Sequence, residues 1–250
     1  VELLHKHKVP FSAMCVVNRL NARKPIDVYR FLRDKVRPRI IQFMPGLEAA
    51  DFRSVAPGFW NPDDLPGLDS PRARPGNPDS VVADWSVDPE DWGYFLTRVW
   101  DEWFKRDYGQ VFVDQFENVI SQMFGYGAQK CVSGKICGKA LAIEHNGDVF
   151  SCDHFVYPEY KLGNILETHQ GDLAFSAQQK KFAYAKSDTL PAYCKACAYI
   201  ELCWGECPKN RFIKTPDGEP GLNFLCRGLK QFYAKATAAR GELAKRISSS

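Results

Sequence analysis

Eight of the nine cysteines of this chain lie between Cys131 and Cys226, with only Cys15 standing apart. They run Cys131-x5-Cys137-x14-Cys152 and then Cys194-x2-Cys197-x5-Cys203-x3-Cys207-x18-Cys226, three early and five late. No export signal leads the sequence: Val1-Glu2-Leu3-Leu4-His5-Lys6-His7-Lys8 lacks the charged, then apolar, then small pattern. That weakens a reading as four disulfides, because cytosolic thiols are kept reduced, and favours a cytoplasmic protein. Zinc takes four thiolates tetrahedrally and would suit Cys194-x2-Cys197, whereas iron–sulfur clusters accept four thiolates at looser spacing. If the centres are four-thiolate sites, the three-and-five split requires one late cysteine to cross back and complete the early set. Spacing alone leaves zinc, iron–sulfur and disulfides open.

The remaining composition narrows the class. The chain has 250 residues, 45% of them hydrophobic and 13% aromatic, enough for one large domain or two small ones with a real core. A net charge of +3 without a Lys/Arg-rich block argues against nucleic acid as a partner. No apolar run approaches the roughly 18 residues needed to cross a bilayer.

Along the chain, residues 1–8 read as the tail of a helix that the sequence enters midway, which suggests a fragment lacking an N-terminal part. Val9 to Asn18 and Arg39 to Met44 read as buried strands, their near-continuous apolar runs suiting a parallel sheet covered on both faces. Between them Lys24 to Lys35 is helical in pattern, with Pro25 in its first turn and Ile26, Tyr29, Phe31 and Leu32 at apolar positions. Strand, helix, strand at this spacing is a βαβ unit. Residues 45–82, rich in Pro, Gly and Asp, read as a long surface excursion or lid. Asp88-Pro89-Glu90-Asp91 opens a helix whose buried stripe is Trp92, Phe95, Leu96, Val99, Trp100 and Trp103. A short helix follows at Phe116 to Phe124. Ala140 to Ser151 reads as a hairpin turning at Asn146-Gly147. Leu229 to Ile247 reads as a closing helix with an exposed tail, Ser248 to Ser250.

The cysteine pattern, together with Cys152-Asp153 and Leu162-Gly163-Asn164-Ile165, resembles the SPASM domain of radical S-adenosylmethionine (SAM) enzymes, and most of all the anaerobic sulfatase-maturating enzymes. The resemblance implies an α/β fold: the C-terminal part of a partial (β/α)6 radical SAM barrel, then a cysteine-rich SPASM domain with a β-hairpin and a C-terminal helix. Residues 1–110 would be the barrel part with a surface insertion at 45–85, residues 111–228 the SPASM domain, and 229–250 the helix and tail. Carried over by position, Cys131, Cys137, Cys152 and Cys207 hold one auxiliary 4Fe–4S cluster, and Cys194, Cys197, Cys203 and Cys226 hold a second. Cys207 is then the crossing ligand. Leu47 matches a position that packs on S-adenosylmethionine, though it also reads as an ordinary strand-end core residue.

In that family a sulfatase Cys or Ser becomes Cα-formylglycine. A 5′-deoxyadenosyl radical removes a Cβ hydrogen, a base takes the thiol or hydroxyl proton, and an electron leaves toward an auxiliary cluster. Asp153 matches the proposed proton acceptor; taken alone, an Asp near a strand end is a turn or cap carboxylate. The partners implied are a sulfatase polypeptide and an electron donor such as flavodoxin or ferredoxin. The family's C-x-x-x-C-x-x-C loop, which holds the radical-generating cluster, and its Gly-rich segment are not in this sequence. S-adenosylmethionine and a third 4Fe–4S cluster would therefore belong to a missing N-terminal half, and this fragment alone would be inactive. Cys15 reads as a buried strand residue, and His154 as packing or substrate contact, since eight thiolates already close two sites. Lys161, Lys180, Lys181 and Lys186 could offset cluster charge but read mostly as solvated surface. Alternatives are a SPASM-type radical SAM enzyme that modifies another peptide or protein, and a zinc-stabilised binding module.

Overall fold

The computed structural model describes Val1–Ser248; Ser249 and Ser250, the end of the expected tail, lie outside the described residues. The chain divides into two compact units. One comprises Val1–Glu48, Arg74–Ala128 and Leu225–Ser250, and the other Ala49–Ala73 and Gln129–Phe224.

The first unit opens with a short helix α1 (Glu2–Lys6), then β1 (Ser12–Val17), α2 (Pro25–Arg30) and β2 (Ile40–Pro45). The two strands are parallel, so the expected βαβ unit is present. α2 continues through a π-helical turn, Phe31–Val36, that ends at left-handed Arg37. α3 (Pro89–Arg106) begins as its sequence dictates: the Asp88 carboxylate accepts from the Glu90 amide, and Pro89, which has no N–H to leave orphaned, takes the first turn. β3 (Phe112–Val113) pairs parallel with β2, giving the order β1-β2-β3, and leads into α4 (Asp114–Met123).

One face of this sheet is buried and the other is not. Val17, Ile41, Phe43 and Val113 are inaccessible, and Phe95 of α3 packs edge-on to Phe43 at 4.9 Å. On the opposite face Met14 is 65% exposed and Val16 50%, with Ile40 and Phe112 also open. The expectation of a sheet covered on both faces is thus corrected. The apolar residues alternate in exposure because the helices of this unit lie on one side of the strands. Cys15 is half-buried rather than buried, and Phe31, counted among the inward positions, is exposed.

The stripe Trp92, Phe95, Leu96, Val99, Trp100 and Trp103 is buried as expected. Trp100 meets Phe116 of α4 at 5.1 Å and Phe232 at 5.8 Å. Phe232 lies on α9 (Cys226–Ala238), and α10 (Arg240–Ser248) completes the unit. The single closing helix of the sequence reading is therefore two, parted at Ala239. Just before the break the Thr237 hydroxyl donates to the Tyr233 carbonyl at 2.7 Å, a side-chain bond that competes with the helical ladder.

In the second unit β4 (Ala142–Ile143) and β5 (Asp148–Phe150) form the expected hairpin, with Gly147 at φ +87° in the turn. β6 (Lys161–Asn164), built from the Leu162-Gly163-Asn164 segment, adds a third antiparallel strand. The helices α5 (Gln170–Ala174), α6 (Ala177–Asp188), α7 (Ala192–Lys195) and α8 (Ile200–Cys203) follow, then the strand pair β7 (Ile213–Lys214) and β8 (Pro220–Leu222). Much of the Pro/Gly-rich excursion is part of this unit. The Tyr157 and Tyr160 hydroxyls donate to the carbonyls of Phe52 and Pro57, the Lys214 amide donates to Pro66 at 2.8 Å, and Trp60 stacks edge-on against Phe212. The sequence boundaries set 45–85 inside the first part; the structure groups Ala49–Ala73 with the cysteine region.

Candidate metal centre

Seven of the eight clustered cysteines lie in the second unit, five of them on turns or irregular segments and two, Cys194 and Cys203, in the short helices α7 and α8; Cys226 opens α9 in the first unit. None of the nine cysteines forms a disulfide. Cys131 starts a 3₁₀ turn, Cys131–Ser133. Cys137 precedes left-handed Gly138, and Cys152 caps the turn Asp153–Phe155, whose Phe155 is anchored on Tyr160 and Phe182 at 4.8 and 5.0 Å. Cys207 precedes a Pro-started turn, Pro208–Asn210. Before it the backbone runs left-handed through Trp204, Gly205 and Glu206 (φ +47°, +66° and +52°). Two of these three residues carry a Cβ, and each such conformation costs about 1–3 kcal/mol unless its surroundings impose it.

The thiols of Cys131, Cys137, Cys152 and Cys207 are close enough to act on one another electrostatically. Burial pushes the Cys137 and Cys207 thiols up, and pushes Cys152 up to about 12, the Asp153 carboxylate adding to the effect. Left as thiols they stay protonated at neutral pH. A metal that takes them as thiolates must displace those protons, and supplies the positive charge their burial otherwise lacks.

Three backbone amides are aimed to help. The Tyr199 amide donates to Cys197 Sγ at 3.5 Å, and the backbone of His154 and of Lys209 does the same for Cys152 and Cys207. Each donor lies two residues beyond its sulfur, a turn geometry that presents an N–H dipole to a thiolate and orients it for a metal. This donor set, soft and all-sulfur with amides turned toward it, fits an iron–sulfur cluster or zinc.

Asp153 is exposed and accepts from the Cys152 thiol at 3.1 Å, which holds its carboxyl below the usual range. His154 Nδ1 lies 3.5 Å from Cys207 Sγ, and burial followed by the nearby Lys209 charge lowers its pKa. The donor atoms of Cys152, Asp153 and His154 all fall within 4.8 Å of one another, so His154 sits closer to the thiols than the sequence reading allowed. Leu47 follows β2 directly and is buried, at 7% exposure.

A family model described as an iron-sulfur cluster-binding domain, SPASM, matches residues 131–198. The chain is 41% identical over 237 residues to a serine-type anaerobic sulfatase-maturating enzyme of Bacteroides thetaiotaomicron, covering 93% of this chain and 53% of that protein. The chain is similar to the anaerobic sulfatase-maturating enzymes over nearly its whole length. A cysteine-type anaerobic sulfatase-maturating enzyme of Clostridium novyi is 27% identical, covering 99% of this chain and 59% of that protein. A solved structure of native anSMEcpe with bound AdoMet and Cp18Cys peptide shares the fold, with a TM-score of 0.76 at 24% identity, over 98% of this chain and 61% of that one. The chain spans about half the length of the maturating enzymes it matches. The resemblance read from the cysteine spacing is borne out, and iron–sulfur is the ligand class of the matched domain.

Three residues tied to this centre were read in part or not at all: Lys186 was named as able to offset cluster charge but read mostly as solvated surface, and Gln179 and Arg211 were not singled out. Lys186, counted among the solvated lysines, is 1% exposed, and its ammonium donates to the Cys131 and Val132 carbonyls at 2.6 and 2.7 Å. Buried Gln179 donates to the Gly138 and Ser151 carbonyls at 3.0 and 3.1 Å. The Arg211 guanidinium donates to the carbonyls of Gly205, Trp204 and Lys186, and so restrains the left-handed run before Cys207. The signal that could have found the first two is their spacing on α6: with Ala183, whose carbonyl accepts from the Cys137 amide, they fall at i, i+4 and i+7.

Proposed function

We propose that this chain is the auxiliary-cluster portion of a radical SAM oxidoreductase that converts a sulfatase Cys or Ser to Cα-formylglycine. The observation that carries the reading is Asp153, an exposed carboxylate next in sequence to Cys152, one of four thiols that act on one another electrostatically. Cys131, Cys137, Cys152 and Cys207 hold one 4Fe–4S cluster, and Cys194, Cys197 and Cys203 contribute thiolates to a second. When bound, the clusters would provide one-electron acceptors, and S-adenosylmethionine would provide the hydrogen-abstracting radical.

The chain's own part is proton handling and orientation. Asp153 takes the proton of the substrate thiol or hydroxyl while the Cβ–H bond is lost as a hydrogen atom and one electron departs. A C=S or C=O bond forms at Cβ, and water hydrolyses the thioaldehyde to the aldehyde. A base beside an electron acceptor lets proton and electron leave by neighbouring routes. Leu47 would pack against S-adenosylmethionine. The named activities of the relatives and the AdoMet and peptide in the solved structure support this substrate class.

The test is Asp153→Asn in the protein that carries this chain, assayed anaerobically with S-adenosylmethionine, a reductant and a sulfatase peptide. Formylglycine yield should fall by about 10²-fold or more, the scale of a lost general base, while iron and sulfide stay at wild-type levels. Unchanged yield removes Asp153 from the chemistry. Zinc in place of iron and sulfide in the wild-type chain overturns the whole reading.

A further inference from the structure

The sequence gives α6 no part beyond three lysines that could offset cluster charge. Its residues Ala177 to Asp188 lie between the early and late cysteines and carry three of the lysines read as surface. Yet one face of it meets every early cysteine segment. Gln179 holds the carbonyls of Gly138 and Ser151, the immediate neighbours of Cys137 and Cys152. The Ala183 carbonyl accepts from the Cys137 amide at 3.1 Å. Lys186 holds the carbonyl of Cys131 itself and that of Val132.

The arrangement is costly, which argues that it serves something. Gln179 Oε1 is buried without a hydrogen-bond partner because the amide is turned to spend both its N–H groups on the two carbonyls. Lys186 is a buried ammonium with no carboxylate bonded to it among the described residues. Burial is the largest influence on it and lowers its pKa, Arg211 adding to the effect, while Cys137, Glu206 and Cys207 favour the ammonium. A lone buried ammonium is expensive unless a negative charge faces it. Two of its three favourable partners are thiols of the proposed first site, and four thiolates around a 4Fe–4S core leave a net negative charge there. Arg211 links the helix onward: it donates to the Lys186 carbonyl at 2.7 Å and to the turn before Cys207.

We propose that Lys186 is a positioning residue for the first cluster, clamping the Cys131 turn and raising the cluster's reduction potential with a fixed buried cation. This rests on the iron–sulfur reading above. A positive charge near the cluster favours the more negative, reduced form, so removing it makes reduction harder.

The test uses the chain purified and reconstituted anaerobically with iron and sulfide, followed by redox titration with electron paramagnetic resonance. The signal to follow is the one that Cys131→Ser removes. Lys186→Met and Lys186→Gln should move its midpoint more negative by about 59 mV or more, a tenfold change in a one-electron equilibrium. Lys186→Arg, which keeps the charge, should restore the wild-type midpoint. Lys186→Gln keeps one donor to the carbonyls, and so decides the matter if Lys186→Met fails to hold iron. Wild-type midpoints in both uncharged variants at full iron content overturn the proposal and leave the cluster reading intact. A wild-type chain that takes up zinc, or no iron, overturns both.

Discussion

Asp148 shows how a single side chain can fix a turn. It lies at the start of β5, where its carboxylate accepts from Lys161 at 2.7 Å, from Asn164 at 3.0 Å and from Asn146 at 3.1 Å. The Lys161 bond above all, then Asn164, holds its carboxyl below the usual range. A carboxyl depressed in the folded state adds stability that is present above the unfolded-state pKa and lost as pH falls through the lower folded value. Asp148→Asn should therefore melt lower than wild type near neutral pH, and the two melting curves should converge on acidification below about pH 4. A gap that persists unchanged into acid would refute the carboxylate account. At this scale the cysteines were legible because their chemistry needs a particular residue at a particular spacing, and Cys152-Asp153 was legible as a neighbouring pair. Arg211 was not, and Lys186 was legible only as one of four lysines able to offset cluster charge. A lysine in a polar helix is normally solvated, and only the fold shows that the carbonyls of Cys131 and Val132 stand in for water.

Among the elements of the first unit, α3 and α9 approach until their backbones nearly touch at Gly93 and Gly228. A Cβ on Gly228 would stand 2.0 Å from the Pro89 carbonyl oxygen and 2.7 Å from the Gly93 nitrogen; one on Gly93 would stand 2.6 Å from the Gly228 Cα. Both are backbone contacts, which cannot swing aside. Gly in a helix interior costs about 1 kcal/mol relative to Ala, so its presence here reflects the gap between the helices rather than helix preference. Gly228→Ala should accordingly destabilise, by about 1–3 kcal/mol as overpacked cores do, despite the better helix former, and denaturant unfolding measures it. A stabilised variant would show that the helices separate freely. The apolar stripe of α3 and its Asp88-Pro89 start could be read from the sequence because amphipathic period and capping are local. The open face of the β1–β2–β3 sheet could not, since an apolar strand reads alike whether one face or both are covered.

For the molecule as a whole, the two units rest on different kinds of interior. The first is filled by Trp92, Phe95, Trp100, Trp103, Phe116 and Phe232, while the second gathers its turns around thiols, two buried cations and a tethering amide. Binding that requires the folded site contributes directly to stability. Chelating the iron should thus lower the unfolding of the second unit and leave that of the first within experimental error, which calorimetry before and after metal removal resolves. Equal loss in both, or in neither, would count against a metal-dependent interior. The unit boundaries also explain why the sequence misplaced the excursion: Pro, Gly and Asp mark it as loop, but composition does not say which body a loop joins.

The chain passes from one unit to the other repeatedly, and the first unit takes its last helices from Leu225 onward. Phe232, whose ring closes on Trp100, is made only after every residue of the cysteine unit has been polymerised. A nascent polypeptide therefore carries all seven thiols of that unit while the tryptophan interior still lacks its final wall, so the cysteine unit can begin to fold before the other half is complete.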